Sequence, residues 1–430
     1  MFLCQSPLLK INKMKKITIP VFSAFAGYDS QFLALRRFAK WFNQKFRGLI
    51  HIEFDLVGWC EIDPDAIASH NALFPEYKDR HYNDITKIVW TNVPHFDMLI
   101  YSSCCQDISR NGSQAGLAKG SGTRSSLIWY IQEAIKVHHP NYAILENVAA
   151  LLEKTFCNEF CKWQEAVDEL GYRSCWGTML ASDFGIPQNR NRAFMVSVRK
   201  DIKQNIYFPE PISLRTHKEV ETFLDNSVDD LYYYPEEEAA KYIVAINGKE
   251  PRKINAIHIQ PKGKYIKRIV TPTCNDSIYR TTPTLLANAG YYSFNYKHLF
   301  STYYFPVPGV IEVWESTEDV NIPYANYIAS AKAVKNGDKN VINASKDMVC
   351  EALHNLTPKC YFRLRLLTPS EYFRLMGVDT GSIIKLISSS VSREQLVKQA
   401  GNAIVVDILF FLYKSVFTPD VLTAMSSQQG

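Results

Sequence analysis

The segment Asp97–Ser109 reads DMLIYSSCCQDIS and places two adjacent thiols directly after an apolar run. Its first five residues favour a buried strand of a parallel sheet. Two serines, Cys104 and Cys105 then lead into a loop that contains several glycines. Ligands bind at the carboxyl ends of strands in open α/β sheets, so a thiol at this position is a candidate reactive group. The alternative is a structural pair, because free cysteine is among the most buried residue types.

Strands and helices alternate on both sides of this segment. Apolar stretches predict strands at residues 17–25, 50–61, 96–101, 142–145 and 194–198, and helices are predicted at 125–138 and 159–170. The alternation predicts an α/β fold in which a parallel sheet carries helices on both faces. It stops after Arg199, where Pro209 and Pro211 mark a linker.

The composition of the 430 residues is that of a globular protein, with 47% hydrophobic and 21% charged residues. No uncharged apolar run reaches the roughly 18 residues that a membrane span needs, and the first residues lack the layout of a signal peptide. Ten cysteines without a regular framework predict reduced thiols and a cytoplasmic location. Cys157 and Cys161 have no second pair at metal-binding spacing, so we predict no metal site.

Three residues at the ends of predicted strands indicate a nucleotide-like cofactor. Gly27 follows the first strand, where a glycine permits close approach of a ligand to the backbone. Glu61 ends the second strand, where a carboxylate can accept hydrogen bonds from both hydroxyls of a ribose. Asp84 follows in an Asn-Asp-Ile-Thr segment. A helix cap or a solvated charge is the alternative for each carboxylate, and the G-x-G-x-x-G dinucleotide motif is absent.

Together these features resemble the cytosine-5 DNA methyltransferases. In that family an Asp starts the catalytic strand, and the nucleophilic Cys of a P-C-Q-x-F-S pattern lies eight residues later. Asp97 and Cys105 reproduce this spacing, and residues 106–109 fit with Ile in place of Phe. Cys104 stands where the family has Pro. The resemblance implies that Cys105 is the nucleophile.

Two further motifs supply its partners. Glu146 begins an E-N-V tripeptide, and the resemblance implies that it stabilises ring nitrogen 3 of cytosine when a thiolate adds to carbon 6. Residues 188–192 resemble the Q-x-R-x-R motif, in which Arg192 would contact the cytosine carbonyl and Arg190 would support the surroundings of the nucleophile. Two arginines two residues apart on extended backbone point to the same side, although a pair of surface arginines is the alternative.

The cofactor that the resemblance implies is S-adenosylmethionine. Phe25-Ala26-Gly27 matches the first half of the F-x-G-x-G-G motif, whereas Asp29 and Ser30 replace its two later glycines. Ile62 would lie against adenine, and Asp84 would bind the adenine amino group. Residues 399–405 resemble the tenth motif, predicted here to open the final helix so that its N-terminus approaches the cofactor. The predicted cofactor-binding residues are Phe25, Ala26, Gly27, Tyr28, Glu61, Ile62, Asp84, Ile85, Asn402 and Ala403.

The chain beyond the linker differs in charge. Residues 209–240 carry nine acidic and two basic side chains, and residues 241–300 carry ten basic and two acidic ones. The basic stretch is interleaved with tyrosines, which suits a surface that faces phosphates. In the family this region is the target-recognition domain, and Thr282–Leu285 resembles a short Thr-Leu element found there. Residues 365–377 then resemble the ninth motif.

The resemblance thus predicts a Rossmann-like catalytic domain over residues 15–200 that binds the cofactor. A smaller, irregular and largely β recognition domain is predicted over 201–398, and a returning C-terminal helix over 399–430. The predicted enzyme is a monomer that methylates carbon 5 of a flipped-out cytosine in a specific double-stranded DNA sequence, through a covalent Cys–cytosine intermediate. A restriction endonuclease is a candidate partner.

Two alternatives to this function stay open. One is the same chemistry on RNA, against which the long recognition region argues. The other is an inactive DNA-binding module, against which the retention of Cys105, Glu146, Arg190 and Arg192 argues.

Overall fold

A seven-stranded sheet forms the centre of the structure, a computed structural model that describes residues 15–48, 50–105, 107–108, 113–212, 220–233, 265–271, 282–283, 309–315 and 360–428. The strands are β1 (Lys15–Ala24), β2 (Ile50–Cys60), β3 (His81–Tyr82), β4 (Met98–Ser102), β5 (Tyr142–Val148), β6 (Tyr172–Leu180) and, after the short β7 (Gln188–Asn189), β8 (Asn191–Arg199). Their order across the sheet is β3-β2-β1-β4-β5-β8-β6.

One strand departs from the predicted parallel arrangement. β8 runs antiparallel to both β5 and β6, while the other neighbouring pairs are parallel. The reason is the short connection from β6 to β8, which contains no α-helix. A parallel return needs a crossover of about a dozen residues or more, so this short link forces the chain back in the opposite direction. The start of β8 therefore lies beside the carboxyl end of β5.

Helices cover both faces of the sheet, as predicted. Those in the first part of the chain are α1 (Ser30–Lys45), α2 (Pro64–Leu73), α3 (Ile131–His138) and α4 (Cys157–Glu169); the later ones are α5 (Pro369–Leu375), α6 (Thr380–Ile387), α7 (Arg393–Asn402), α8 (Val406–Val416) and α9 (Pro419–Gln428). One buried apolar core packs α1 and the C-terminal helices against the sheet, and a second core packs α3 and α4 against it. The repeated alternation of strand and helix thus produces three layers.

The C-terminal part of the chain returns to the seven-stranded sheet well before residue 399. Leu367, Phe373 and Leu396 are buried in the same core as Ile17 of β1. Among the described residues, one segment, Arg393–Val416, is long and apolar enough to cross a membrane on length and composition alone. It comprises α7 and α8, and its apolar side chains largely belong to this core. The domain boundaries themselves stay predictions.

The described parts of the recognition region contain β-structure. β9 (Tyr265–Thr271), β11 (Gly309–Glu315) and β12 (Cys360–Leu366) form a separate antiparallel sheet in the order β12-β11-β9. β10 (Thr282–Pro283) pairs in parallel with β7, so the start of the predicted Thr-Leu element lies beside the strand that precedes Arg190. Most of the basic stretch at residues 241–300, and Thr284–Leu285, lie outside the described residues.

A buried polar cluster joins the two places where the chain passes between these sheets. Glu371 and Arg365 are both fully buried and form two hydrogen bonds of 2.8 Å. Glu371 also accepts from the backbone N–H of Asp225, at 2.8 Å, and of Thr368, at 2.8 Å. Arg374 pairs with the carboxylate of Asp225. We call these five residues the Glu371 cluster; it contains the capping box expected for α5.

Glu371→Gln should destabilise the protein by about 3–5 kcal/mol, because it leaves the charge of Arg365 buried without a counter-ion. Urea unfolding followed by circular dichroism measures the change. Glu76→Gln is the matched control: it removes the same charge from an exposed pair with Arg36 and should cost no more than about 1 kcal/mol. Equal losses in the two variants would contradict the assigned importance of the cluster.

Candidate active site

The loop that carries Cys105 is held at its beginning by the end of β5. Asn147, which is buried, donates from Nδ2 to Ser103 Oγ at 2.8 Å and to the Ser103 carbonyl at 3.3 Å. Ser125 Oγ donates to the carbonyl of Cys104. The backbone N–H of Ile108 donates to the carbonyl of Cys105 at 3.1 Å, and Ile108 is itself buried. The partly buried thiol of Cys105 is thus fixed beside the sheet edge by contacts on both sides.

Further anchors of the loop come from residues that we did not single out in the sequence. Asp107 accepts from Ser113 Oγ at 2.6 Å and from the Ser125 N–H at 3.0 Å, and these hydrogen bonds hold the pKa of its carboxyl below the ordinary value. Glu159 of α4 accepts from the Leu117 N–H at 2.5 Å. Asn147 belongs to the E-N-V tripeptide and was visible as a motif, whereas Glu159 meets the loop from 42 positions away and has no local signal.

The structure brings the four predicted catalytic residues together. Glu146 lies two residues before the end of β5 and pairs with Ser102 of β4, which is three residues before Cys105. Arg192, near the start of the antiparallel β8, forms an ion pair with Glu146, with 3.3 Å between Nε and Oε1. Arg190 lies close enough to interact electrostatically with Glu146, Arg192 and Cys105. One thiol, one carboxyl and two guanidinium groups therefore share a small and largely buried site.

Burial dominates the electrostatics of this cluster. It raises the pKa of Glu146 above its usual value, although Arg192 and Arg190 act in the opposite direction. The pKa of the Cys105 thiol is also raised, first by burial and then by the negative charge of Glu146. Arg192 and Arg190 favour the thiolate, but they do not outweigh burial. Burial therefore disfavours the charged form of both acidic groups relative to the same groups in water.

Arg190 has a second role in holding the C-terminal segment. It is fully buried and donates from NH2 to the carbonyls of Gly401, at 2.9 Å, and Ala403, at 2.6 Å. Burial and the neighbouring Arg192 lower its pKa to about 9, which leaves the guanidinium protonated at neutral pH. Gln188, also buried, donates to the carbonyl of Leu375 at 2.8 Å. The Q-x-R segment therefore connects β7 and the start of β8 to the helices that follow the recognition region.

The turn after β1 and the end of β2 form the predicted cofactor site. The N–H of Gly27 donates to Glu61 Oε2 at 2.8 Å, and Glu61 Oε1 accepts from the N–H groups of Ile62, at 2.8 Å, and Asp63, at 2.9 Å. Gly27 has a φ of +58°, and a Cβ added there would meet no heavy atom within 4 Å. Ile62 is 63% exposed. An oriented carboxylate, open space beside the turn and an exposed apolar side chain fit the ribose and adenine of S-adenosylmethionine.

The remaining predicted cofactor residues differ in how much of them a ligand can reach. Asp84 accepts from the backbone and the hydroxyl of Thr86, at 3.0 and 2.8 Å, which lowers the pKa of its carboxyl. Ile85 and Ala26 are buried in the cores, and Phe25 is half-buried. Tyr28 is buried against Phe373, and its hydroxyl has no hydrogen-bond partner among the residues that the structure describes. An orphaned buried hydroxyl beside the turn is a further donor available to a ligand.

The prediction that Asn402 lies at a helix N-terminus is wrong. Asn402 is exposed and is the last residue of α7, and Ala403 follows as the C-cap. The helix begins earlier because Ser392 caps it, accepting from the Gln395 N–H at 3.3 Å. The segment nevertheless reaches the turn after β1, since the Ile404 N–H donates to Ser30 Oγ at 3.2 Å.

Among the described residues, His, Cys, Asp and Glu do not form groups of three or more that could hold a metal ion. Cys157 and Cys161 lie with their Sγ atoms 4.0 Å apart, but they have no third ligand among the described residues.

The sheet order, with its single antiparallel strand, and the thiol–carboxyl–arginine cluster at the strand ends define a Rossmann-like methyltransferase. The C-5 cytosine-specific DNA methylase family matches residues 23–418. The chain belongs to this family and is a DNA cytosine-5 methyltransferase. Membership implies the use of S-adenosylmethionine.

Individual relatives agree with this assignment. The chain is 28% identical to the type II methyltransferase M2.ScrFI of Lactococcus lactis subsp. cremoris over 322 residues, which cover 59% of this chain and 85% of the relative. It is 39% identical to the orphan methyltransferase M.SssI of Spiroplasma monobiae over 132 residues, 30% of this chain and 34% of the relative. A crystal structure of a Spodoptera frugiperda DNMT2 mutant matches in fold, with a TM-score of 0.55, 17% identity and coverage of 93% and 99% of the two chains.

Glu146→Gln should speed alkylation of Cys105 by iodoacetamide several-fold near pH 8. The variant removes a negative charge that raises the thiol pKa, and the thiolate is the reactive form. Peptide mapping by mass spectrometry at several pH values measures the rate at each cysteine. Cys175 is the internal control, because burial alone raises the pKa of its thiol. An unchanged or slower rate at Cys105 would contradict the electrostatic coupling.

Proposed function

We propose that the enzyme methylates carbon 5 of a cytosine flipped out of a specific double-stranded DNA sequence, through a covalent bond between Cys105 Sγ and carbon 6. The observation that supports this most directly is the arrangement of Cys105, Glu146 and Arg192 at one sheet edge, with the ion pair of 3.3 Å between the last two. The target base has to leave the duplex, because stacking hides its reactive face.

The proposed reaction needs Cys105 without its proton and Glu146 with one. Cys105 attacks carbon 6 as a thiolate, and protonated Glu146 donates to ring nitrogen 3, where negative charge develops. The cofactor supplies an electrophilic methyl group, which carbon 5 accepts. Removal of the carbon 5 proton then allows the carbon–sulfur bond to break and restores the thiolate. We assign no residue to that final proton removal.

The pKa values of the cluster favour this sequence. Ionised Glu146 opposes ionisation of Cys105, and burial opposes ionisation of both groups. A proton that moves from the thiol to Glu146 removes the carboxylate charge as the thiolate charge appears, so the net charge of the site stays constant. Arg192 and Arg190 stabilise whichever negative charge is present. The guanidinium of Arg192, which is largely buried, is also a donor for the cytosine carbonyl.

The cofactor and DNA sites extend from this centre. Glu61 would hold the ribose, Ile62 would pack on adenine and Asp84 would accept from the adenine amino group, next to the open side of Gly27. DNA would approach from the recognition region, of which β10 pairs with β7 beside Arg190. A restriction endonuclease as partner, a monomeric enzyme and a cytoplasmic location are further proposals that rest on the family resemblance.

Cys105→Ser should abolish methyl transfer and the covalent adduct with DNA that contains 5-fluorocytosine, because a serine hydroxyl is not ionised at neutral pH. Cys104→Ala is the matched control and should retain both. Transfer of labelled methyl groups to mixed DNA and RNA measures activity, and mass spectrometry locates the adduct. An adduct on Cys104, full activity of Cys105→Ser, or methylation confined to RNA would overturn the proposal.

Glu61→Ala should weaken binding of S-adenosylmethionine at least tenfold, since hydrogen bonds to a charged group contribute about 1.5–3 kcal/mol each. Isothermal titration calorimetry measures the affinity. Glu53→Ala, on the strand that precedes Glu61, is the control. Glu53 pairs with Lys16 at the surface, at 2.8 Å, so this variant should bind the cofactor like the wild type. Unchanged affinity of folded Glu61→Ala would reject the assigned pocket.

A further inference from the structure

The two residues that replace family glycines after β1 both have specific buried partners. Asp29 adopts a left-handed conformation, with φ of 66° and ψ of 57°, and its carboxylate is fully buried. Asp29 Oδ1 accepts from the Phe32 N–H at 3.0 Å and from Ser23 Oγ at 3.1 Å. Ser30 Oγ accepts from the Ile404 N–H. The glycines are thus exchanged for side chains that attach the turn to its surroundings.

His70 of α2 faces the second oxygen of that carboxylate. Nε2 of His70 lies 3.6 Å from Asp29 Oδ2, and both side chains are completely buried. Within the described part of the chain, neither atom has a hydrogen-bond partner. The imidazole stacks on Trp59, with ring centroids 3.6 Å apart and planes inclined by 14°. A fully buried carboxylate needs compensation by an opposite charge or by hydrogen bonds, and His70 is held in the position that can provide it.

These contacts connect the turn after β1 with the end of β2, next to the predicted cofactor site. Trp59 pairs with Ser23 in the register of β1 and β2, and Ser23 donates to Asp29. Trp59 lies two residues before Glu61, and Asp29 lies two residues after Gly27. The Gly27 N–H in turn holds Glu61 Oε2 at 2.8 Å. A shift of the turn would therefore change the orientation of the carboxylate assigned to the ribose.

We propose that Asp29 and His70 are positioning residues that set the affinity for S-adenosylmethionine by holding the Gly27 turn against β2 and α2. The proposal rests on the cofactor pocket assigned above. Both side chains are completely buried, so the role proposed for them is to position the turn and not to bind a ligand. Two glycines would leave the backbone of the turn freer, whereas this pair adds a buried contact between the turn and α2. The effect is confined to the cofactor half of the site, because Cys105, Glu146 and Arg192 are held by other contacts.

The test compares Asp29→Gly, Asp29→Asn, His70→Phe and the double variant Asp29→Asn/His70→Phe. Asp29→Gly suits the left-handed backbone and restores the family residue, so it removes the carboxylate without straining the turn. We expect each single variant to raise the Kd and KM for S-adenosylmethionine about tenfold, with kcat at saturating cofactor and the KM for DNA within about twofold of wild type. Asp55→Asn is the control, since it removes the same charge from an exposed pair with Arg80.

The double variant distinguishes a coupled pair from two separate effects. If the residues act together, its loss of affinity equals that of either single variant, whereas independent effects multiply. Multiplying losses, or unchanged cofactor affinity in folded Asp29→Gly, would overturn the proposal. A role in stability alone would lower the melting temperature and leave the Kd unchanged. If wild-type protein binds no S-adenosylmethionine by calorimetry, the proposed function fails instead, which is a separate result.

Discussion

The direction of the strands is the constraint on which the site depends. β1, β2, β4 and β5 run in parallel, so their carboxyl ends meet at one edge and bring together residues that are far apart in the sequence. Gly27, Glu61 and Cys105 each follow one of these strands, and Glu146 lies close to the end of β5. β8 completes the edge only because it runs the other way, which brings its first residues, including Arg192, to the end of β5. A parallel β8 would have placed Arg192 at the opposite edge.

Buried charge is the second organising feature, and it is compensated to different degrees in the Glu371 cluster and at the site that contains Cys105. Arg365 and Glu371 neutralise one another with two direct hydrogen bonds, and backbone N–H groups satisfy the remaining lone pairs. Each oxygen of the Glu371 carboxylate thus accepts two hydrogen bonds. At the catalytic edge the groups are less completely satisfied, so burial shifts the pKa values of Glu146 and Cys105 upward. The same physical penalty is offset by direct pairing in one cluster and appears as raised pKa values in the other.

Local sequence predicted five of the seven strands of the central sheet, the alternation of strand and helix, and several residues at the sheet edge, because each depends on short motifs and apolar patterns. β3 and β6 were not predicted. The direction of β8 was not predicted, because an apolar stretch does not encode the orientation of a strand. The orientation is determined by the short link between β6 and β8. Asn402 was placed at the wrong end of a helix because its motif was considered without the capping Ser392. Glu159 and His70 act through tertiary contacts with the loop at Leu117 and the turn at Asp29, and no local pattern marks such pairs.

The Glu371 cluster has a consequence for how the recognition region can vary. It fastens the chain at Asp225 to the chain at Arg365 and Thr368, so the two ends of residues 226–364 are held together. Once two ends are held together, lengthening the intervening chain costs little conformational entropy, about 0.6 kcal/mol for each doubling of a flexible loop. The catalytic domain is therefore nearly indifferent to the length of what is inserted between these points. Within such an insertion the sequence can diverge while the arrangement of Cys105, Glu146 and Arg192 stays unchanged.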